Sequence, residues 1–430
     1  MISLTMNRSK LLFFSILMVI PFIFQSCEKV LSQTDNPSDN PSDYSGTILE
    51  DKRLTARGEL ISGVKWIPLG SIPSVKGVNW AYKAGKEYTG IPYSSVKELD
   101  KFVGIDVSYY SFLSAVHNPY SVLYTEDVSK PPYHGIGCAA YYGTVCSTTV
   151  DYALGLGFPL STRLYPSFTD LFQKVENQDI SEVKPGCIML KKGSHVVVVT
   201  KVWINTEGRV EYVRILEADY TITSFRTYTA EEFLQRWKDS LWVMYQYMKM
   251  NEIPEVEENP VVFIYNDDLC TTRGDNVCYR VGEPVTISIL NGNYVVLELY
   301  KDGVLFDSKN IGCGKSLTYD NLPFGDYAAC LVNGKDRSRA IHFEIVETNV
   351  SLTESGKYVT INFSSSNGTP RYIIIGDSSI FISNSIILLT PEDKAVGYRI
   401  VRTPSDRTKF FKVFFEGRYG VIANEHMYLQ

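Results

Sequence analysis

His195 to Ile204 reads HVVVVTKVWI and Val210 to Ala218 reads VEYVRILEA, joined by Asn205-Thr206-Glu207-Gly208-Arg209. Two β-branched runs separated by a short Asn/Gly-containing segment predict an antiparallel hairpin. His195 opens the first strand; Glu217 stands near the end of the second, with Asp219 two residues on. The antiparallel return brings these ends together, so an imidazole and a carboxylate are expected side by side. Upstream, Val145 to Leu156 has the period of a short helix, with Val145, Thr149, Val150, Ala153 and Leu154 along one side. Val78 to Tyr88 and Glu231 to Lys238 read as further helices. Helices early and a hairpin late predict an α+β domain over residues 61–250.

Asn251 to Pro260 (NEIPEVEENP) is acidic, holds two prolines and reads as a linker. Beyond it the helical period disappears. Val285 to Ile289, Val295 to Tyr300, Ala328 to Val332 and Ala340 to Val346 are short strands between Gly, Asn and Asp turns, which predicts an immunoglobulin-like β-sandwich over 258–347. Val359 to Phe363, Tyr372 to Ile375, Ile380 to Leu389, Tyr398 to Val401 and Phe410 to Phe415 predict a second sandwich over 348–430.

At the other end, positive charge at residues 7–10 precedes a fourteen-residue apolar run from Leu11 to Phe24. That run is shorter than the ~20 residues a membrane-spanning helix needs, so residues 1–26 read as a signal peptide. Phe24-Gln25-Ser26-Cys27 resembles the lipobox of bacterial lipoproteins, which implies lipidation of Cys27 and a membrane anchor. Ser32 to Ser45 is rich in Ser, Asn, Asp and Pro, and residues 27–60 read as a flexible tether. The expected location is that of an exported lipoprotein of the outer membrane. With 42 basic against 48 acidic residues the chain lacks the basic footprint of a nucleic-acid binder. Its 44% hydrophobic content excludes disorder of the whole chain.

The chemistry gathers around Cys146, at the first turn of the predicted helix. A thiol there sits in the positive field of the helix N-terminus, which favours the thiolate. His195 supplies a base and Glu217 an acid to orient it, with Asp219 as the alternative orienter. Cys138 is the rival nucleophile, although Gly135, Gly137 and the following Ala-Ala-Tyr-Tyr suit a loop or a disulfide better. No Cys-x-x-Cys, no His-Glu-x-x-His and no phosphate-binding glycine loop is found, so neither a metal nor a cofactor is expected.

The order of helix-start cysteine, strand-start histidine and next-strand acid resembles the CHAP and NlpC-type cell-wall hydrolases, which belong to the papain-like superfamily. Ser194-His195 followed by Leu216-Glu217-Ala218-Asp219 is similar to the CHAP pattern. Asn79-Trp80-Ala81-Tyr82 through Gly90-Ile91-Pro92-Tyr93 is similar to the segment before the NlpC cysteine. Lys184-Pro185-Gly186-Cys187 resembles the Pro-Gly-Asp that opens the histidine hairpin in both. The chain departs from these patterns at Val145, where NlpC has Asp, and at Cys187. Residues 95–137 read as an insertion near the mouth of the site.

The resemblance implies a papain-like α+β catalytic domain, followed here by the two sandwiches. It also implies cleavage of amide bonds in peptidoglycan stem peptides, with Tyr93, Tyr141 and Tyr142 flanking the substrate. The alternative is a surface lipoprotein that binds glycan or a protein partner, with the site no longer catalytic. With Cys27 lipidated, seven of the eight cysteines remain. Pairs at Cys270–Cys278, Cys313–Cys330 and Cys138–Cys187 are expected, leaving Cys146 as the free thiol. Non-reducing mass mapping should therefore recover Cys146 unbridged; a Cys146 disulfide would count against catalysis.

Overall fold

In the computed structural model, residues 44–72, 82–96, 109–119, 121–128, 130, 138–219, 221–237, 241–256, 269–271, 278–290, 296–312, 314–376, 383–402, 408–418 and 421–429 are described. The signal peptide and Cys27 lie outside them. From the N-terminal side the elements are β1 (Thr47–Glu50), α1 (Lys52–Ser62), β2 (Lys65–Trp66), β3 (Tyr88–Thr89), α2 (Tyr109–His117), α3 (Val122–Thr125) and α4 (Cys146–Ala153). There follow β4 (Phe172–Lys174), β5 (Cys187–Lys191), β6 (His195–Ile204), β7 (Val210–Ala218), β8 (Thr223–Thr229), α5 (Ala230–Arg236) and β9 (Trp242–Tyr247).

One antiparallel sheet runs β4-β9-β5-β6-β7-β8, with β1 also paired to β6. The long β6 pairs with β5 through its first half and with β1 through its second, from Glu50↔Lys201 to Thr47↔Ile204. Both faces of β6 are covered, which explains a run of valines with no polar alternation. Val196 and Val198 join Val150, Ala153 and Leu154 of α4 in one core. Val197, Val199 and Val202 join Phe233 and Trp237, from α5 and the residue after it, in another.

The expected α+β papain-like class is corrected. Strand takes 46% of the described residues and helix 17%, so the chain is mostly β and no papain-like α+β domain is indicated. The helices beside the large sheet are short, and one expected helix is absent. Within 78–88, residues from Tyr82 on form a bridge to Ile72, a turn at Gly85 (φ 75°) and then β3. A ring cluster holds this segment extended: Tyr82 lies 4.7 Å from Trp66 and 4.8 Å from Tyr88.

The tether boundary is corrected too. Residues 47–62 are not flexible chain but β1 and α1. Asp51 caps α1 by accepting from the N–H groups of Arg53 (3.0 Å) and Leu54 (3.1 Å), and Leu54, Gly58 and Ile61 form its buried stripe. Arg57 fastens α1 to α4 through the Tyr152 carbonyl at 2.8 Å.

The C-terminal half is built of two β-sandwiches. In the first, the sheet of Leu269–Thr271, Val285–Ile289 and Ser316–Tyr319 packs through Leu269 and Ile287 on a second sheet. That second sheet contains Val296–Lys301, Gly325–Asn333 and Ile341–Val346, and contributes Leu297, Leu331 and Phe343. In the second sandwich, Asn349–Ser355, Tyr358–Ser364 and Tyr398–Arg402 face Thr369–Gly376, Ser383–Leu388, Thr408–Glu416 and Val421–Leu429. Val359, Ile361, Ile373, Phe411 and Val413 fill the space between. The side chains of Cys270 and Cys313, and with them two of the expected disulfides, lie outside the described residues.

Asp51→Ala should cost about 1 kcal/mol through the lost cap. Gly58→Val should cost more, because a Cβ there would lie 2.7 Å from Cζ of Phe225. Urea unfolding of the two variants measures both; no change in Gly58→Val would mean α1 is not packed on β8.

Candidate active site

The helix that begins at Cys146 is held in place by an extended strap. Tyr93 N–H donates to the Thr221 carbonyl (2.9 Å), beyond the end of β7, and Thr144 N–H donates to the Pro92 carbonyl (3.0 Å). Ser94 N–H returns to the Thr144 carbonyl at 3.1 Å, so residues 92–94 join the β7–β8 turn to the chain entering α4. Gly143 allows the approach, since a Cβ would lie 2.1 Å from the Pro92 oxygen. Val145 is extended (φ −105°, ψ 168°) and its N–H donates to Thr148 Oγ1 at 3.1 Å, starting α4 at Cys146.

His195 and Glu217 come together as the hairpin predicts. His195 Nε2 lies 2.9 Å from Glu217 Oε1, and Cys146 is close enough to the imidazole to act on its charge. Cys146 is a free thiol, 6% exposed; the His195 side chain is 26% exposed and that of Glu217 2%. The Trp242 ring stands edge-on to the imidazole, 6.1 Å between centroids.

Burial opposes a charge on His195, but the hydrogen bonds and charges of Cys146 and Glu217 outweigh it and lift the imidazole from 6.5 to about 9. Burial alone would likewise raise Glu217. The His195 bond and the charges of Arg236, His195 and Arg226 reverse that, holding the carboxyl at about 2. The signs for stability are opposite. Glu217 contributes above its ordinary 4.5 and loses this as pH falls through about 2. His195 contributes below its ordinary 6.5 and loses this as pH rises through about 9.

Asp219 does not reach the imidazole. Its Oδ1 accepts from the N–H groups of Thr221 (2.9 Å) and Ile222 (3.2 Å), and its Oδ2 pairs with Arg226. Glu217 is therefore the carboxylate on His195, and Asp219 shapes the turn after β7. The substrate-flanking role of Tyr141 and Tyr142 is corrected, because both are 1% exposed and packed in the core. Tyr93 is partly buried and acts through its backbone in the strap. The Cys138 backbone forms an isolated antiparallel β-bridge with Ser94, and burial pushes its thiol up to about 11. The expected Cys138–Cys187 bridge is corrected: Cys187 is a free thiol bonded to Gln246 Oε1 at 3.1 Å, in the core on the other face of the sheet.

Sequence reasoning missed the arginines. Arg226 on β8 and Arg236 at the end of α5 converge on Glu217 from different elements, and only the fold brings them together. It also missed Asp151, one turn and a half below Cys146 in α4. This buried carboxyl accepts from Tyr165 Oη and Leu160 N–H, both at 2.6 Å, and burial pushes it well above the carboxylate range. Among the described residues no group of three or more His, Cys, Asp or Glu stands ready to hold a metal ion.

No family model matches the chain. No curated protein matches it. Among solved structures, it is similar to the fibronectin(III)-like modules of CbhA from Clostridium thermocellum, at 13% identity over 36% of this chain and 90% of that one, with a TM-score of 0.18. It is also similar to the CD2-binding domain of CD58, at 12% identity over 36% of this chain and 96% of that one (TM-score 0.20). The amphioxus IgVJ-C2 molecule is similar at 10% identity over 36% of this chain and 100% of that one (TM-score 0.16). Likenesses this weak say nothing about activity.

Glu217→Gln should lower the midpoint of His195 titration from about 9 towards 6.5, because it removes a bond and a charge that raise it. The ring-proton shift of His195 in NMR reads this directly; a midpoint still near 9 would separate Glu217 from the histidine.

Proposed function

We propose that the chain is a thiol-dependent amide hydrolase in which Cys146 is the nucleophile, His195 the acid and base, and Glu217 the group that orients the histidine. The observation that carries this reading is buried Glu217 hydrogen-bonded to His195, with an unbridged Cys146 at the first residue of a helix acting on the same imidazole. The Cys146 sulfur attacks the carbonyl carbon, and the Cys146 N–H at the helix start supports the developing oxyanion. As the C–N bond breaks, protonated His195 gives its proton to the leaving amine. It then takes a proton from water, whose oxygen releases the acyl group from sulfur and restores the thiol. The elevated proton affinity of His195 supports the acid role at neutral pH, and activity should fall as pH rises through about 9.

The proposed substrate is the peptide of peptidoglycan, reached from a lipid anchor at Cys27 on the exported face of the outer membrane. The resemblance of the Cys, His and Glu segments to cell-wall hydrolases and the lipobox-like Phe24-Gln25-Ser26-Cys27 support it. A second reading, a surface protein that binds glycan or a partner through a site no longer catalytic, is favoured by one observation: Cys146 is almost wholly covered. Rapid carbamidomethylation of Cys146 by iodoacetamide at neutral pH supports the hydrolase; an inert thiol supports the binder. Wild type should release muropeptides from purified sacculi, and Cys146→Ala should release none while unfolding at the same urea concentration. Full release by Cys146→Ala would overturn the proposal.

A further inference from the structure

Glu217 is buried, yet two arginines share it with His195. Arg236 places Nη2 3.0 Å from Oε1 and 3.2 Å from Oε2 of Glu217. Among the described residues both of its hydrogen bonds go to this carboxylate, and its guanidinium lies over the rings of Tyr228 and Trp237 at 5.5 and 5.4 Å. Arg226 puts Nε 3.5 Å from Oε2 and holds Asp219 with Nη2. A carboxylate bonded to an imidazole alone can turn about its last torsion and carry the imidazole with it. One Arg236 nitrogen shared between both oxygens, together with Arg226 Nε against Oε2, restrains that turn and keeps the charge on the carboxylate.

We propose that Arg236 is a positioning residue of this site: by engaging both oxygens of Glu217 it fixes the carboxylate that aims His195 at Cys146, while Arg226 ties the same carboxylate to the β7–β8 turn through Asp219. This rests on the reading of Cys146 and His195 as a reacting pair. The titratable and charged groups facing Glu217 are His195 from β6, Arg226 and Tyr228 from β8, and Arg236 from α5. Asp219 stands just beyond the end of β7, and Cys146 acts on His195. The Arg236 charge favours ionised Glu217. Without it the carboxyl takes up a proton at higher pH, and the His195–Glu217 pair is lost sooner as pH falls.

The test compares full-length wild type, Arg236→Ala and Arg236→Lys by two readouts: kcat and KM on muropeptides, and the pH dependence of Cys146 alkylation by iodoacetamide. Arg236→Ala should lower kcat about tenfold with KM unchanged and move the acid edge of alkylation up by about one pH unit, the equivalent tenfold shift. Arg236→Lys should recover most of both. Arg236→Gln carries the same comparison if the alanine variant does not fold. Unchanged kcat and acid edge would overturn the proposal, as would a raised KM at unchanged kcat, which would put Arg236 against substrate. Alkylation needs no substrate, so the two readings fail separately. A shifted acid edge without wild-type hydrolysis removes the hydrolase and keeps the positioning role. Hydrolysis abolished in Cys146→Ala with nothing moved in Arg236→Ala does the reverse.

Discussion

A carboxylate removed from water must find its charge partners inside the protein, and Glu217 finds them on three elements at once. His195 comes from β6, Arg226 from β8 and Arg236 from α5. Removing Glu217 would leave Arg236 and protonated His195 without the buried carboxylate they share, which is the costly state for a buried ion pair. The register of β7 against its neighbours and the seat of α5 are thus tied to one side chain. This is also why the imidazole has an orientation at all: its partner cannot turn away.

That arrangement needs a rigid sheet beneath it, and β6 supplies one. Its interior is covered on both faces, and it is paired with β5 from His195 to Val198, with β7 from Val198 on and with β1 from Lys201 on. Its first residue is His195. The strap through residues 92–94 then joins the turn that holds Asp219 to the chain that enters α4. The β7–β8 turn and the chain that leads to Cys146 are therefore connected through backbone hydrogen bonds, beside the side-chain bond of Glu217 to His195.

Much of this was legible in the sequence, and the rest was hidden for identifiable reasons. The β-branched runs have the bounds of β6 and β7, and the period of 145–156 announces α4, because burial on a fixed face leaves its mark in residue order. Helix α1 was hidden because its eleven residues, KRLTARGELIS, are mostly polar and present only a narrow buried stripe. The extended segment around Tyr88 was misread as helix because ring contacts with Trp66 and Tyr82, distant in sequence or outside any period, decide it. Tyr141 and Tyr142 are adjacent and both buried, in irregular chain where neither alternation nor helical period applies. The fold class was overestimated in helix for the same reason: short helical periods were visible, while the pairing of many short strands into sheets was not.

Phe158, four residues beyond Leu154 at the end of α4, packs with Tyr372 of the second sandwich, 6.4 Å between ring centroids. Phe158 and Ile386 each border both the core around α4 and the small core of Tyr372, Ile374 and Phe414. Asn118, after α2, donates to the Thr271 carbonyl of the first sandwich at 3.2 Å. The sandwiches are thus not beads on a string, despite the linker-like composition of 251–260. A displacement of the second sandwich would therefore reach, through the Phe158–Tyr372 contact, the chain that follows the helix beginning at Cys146.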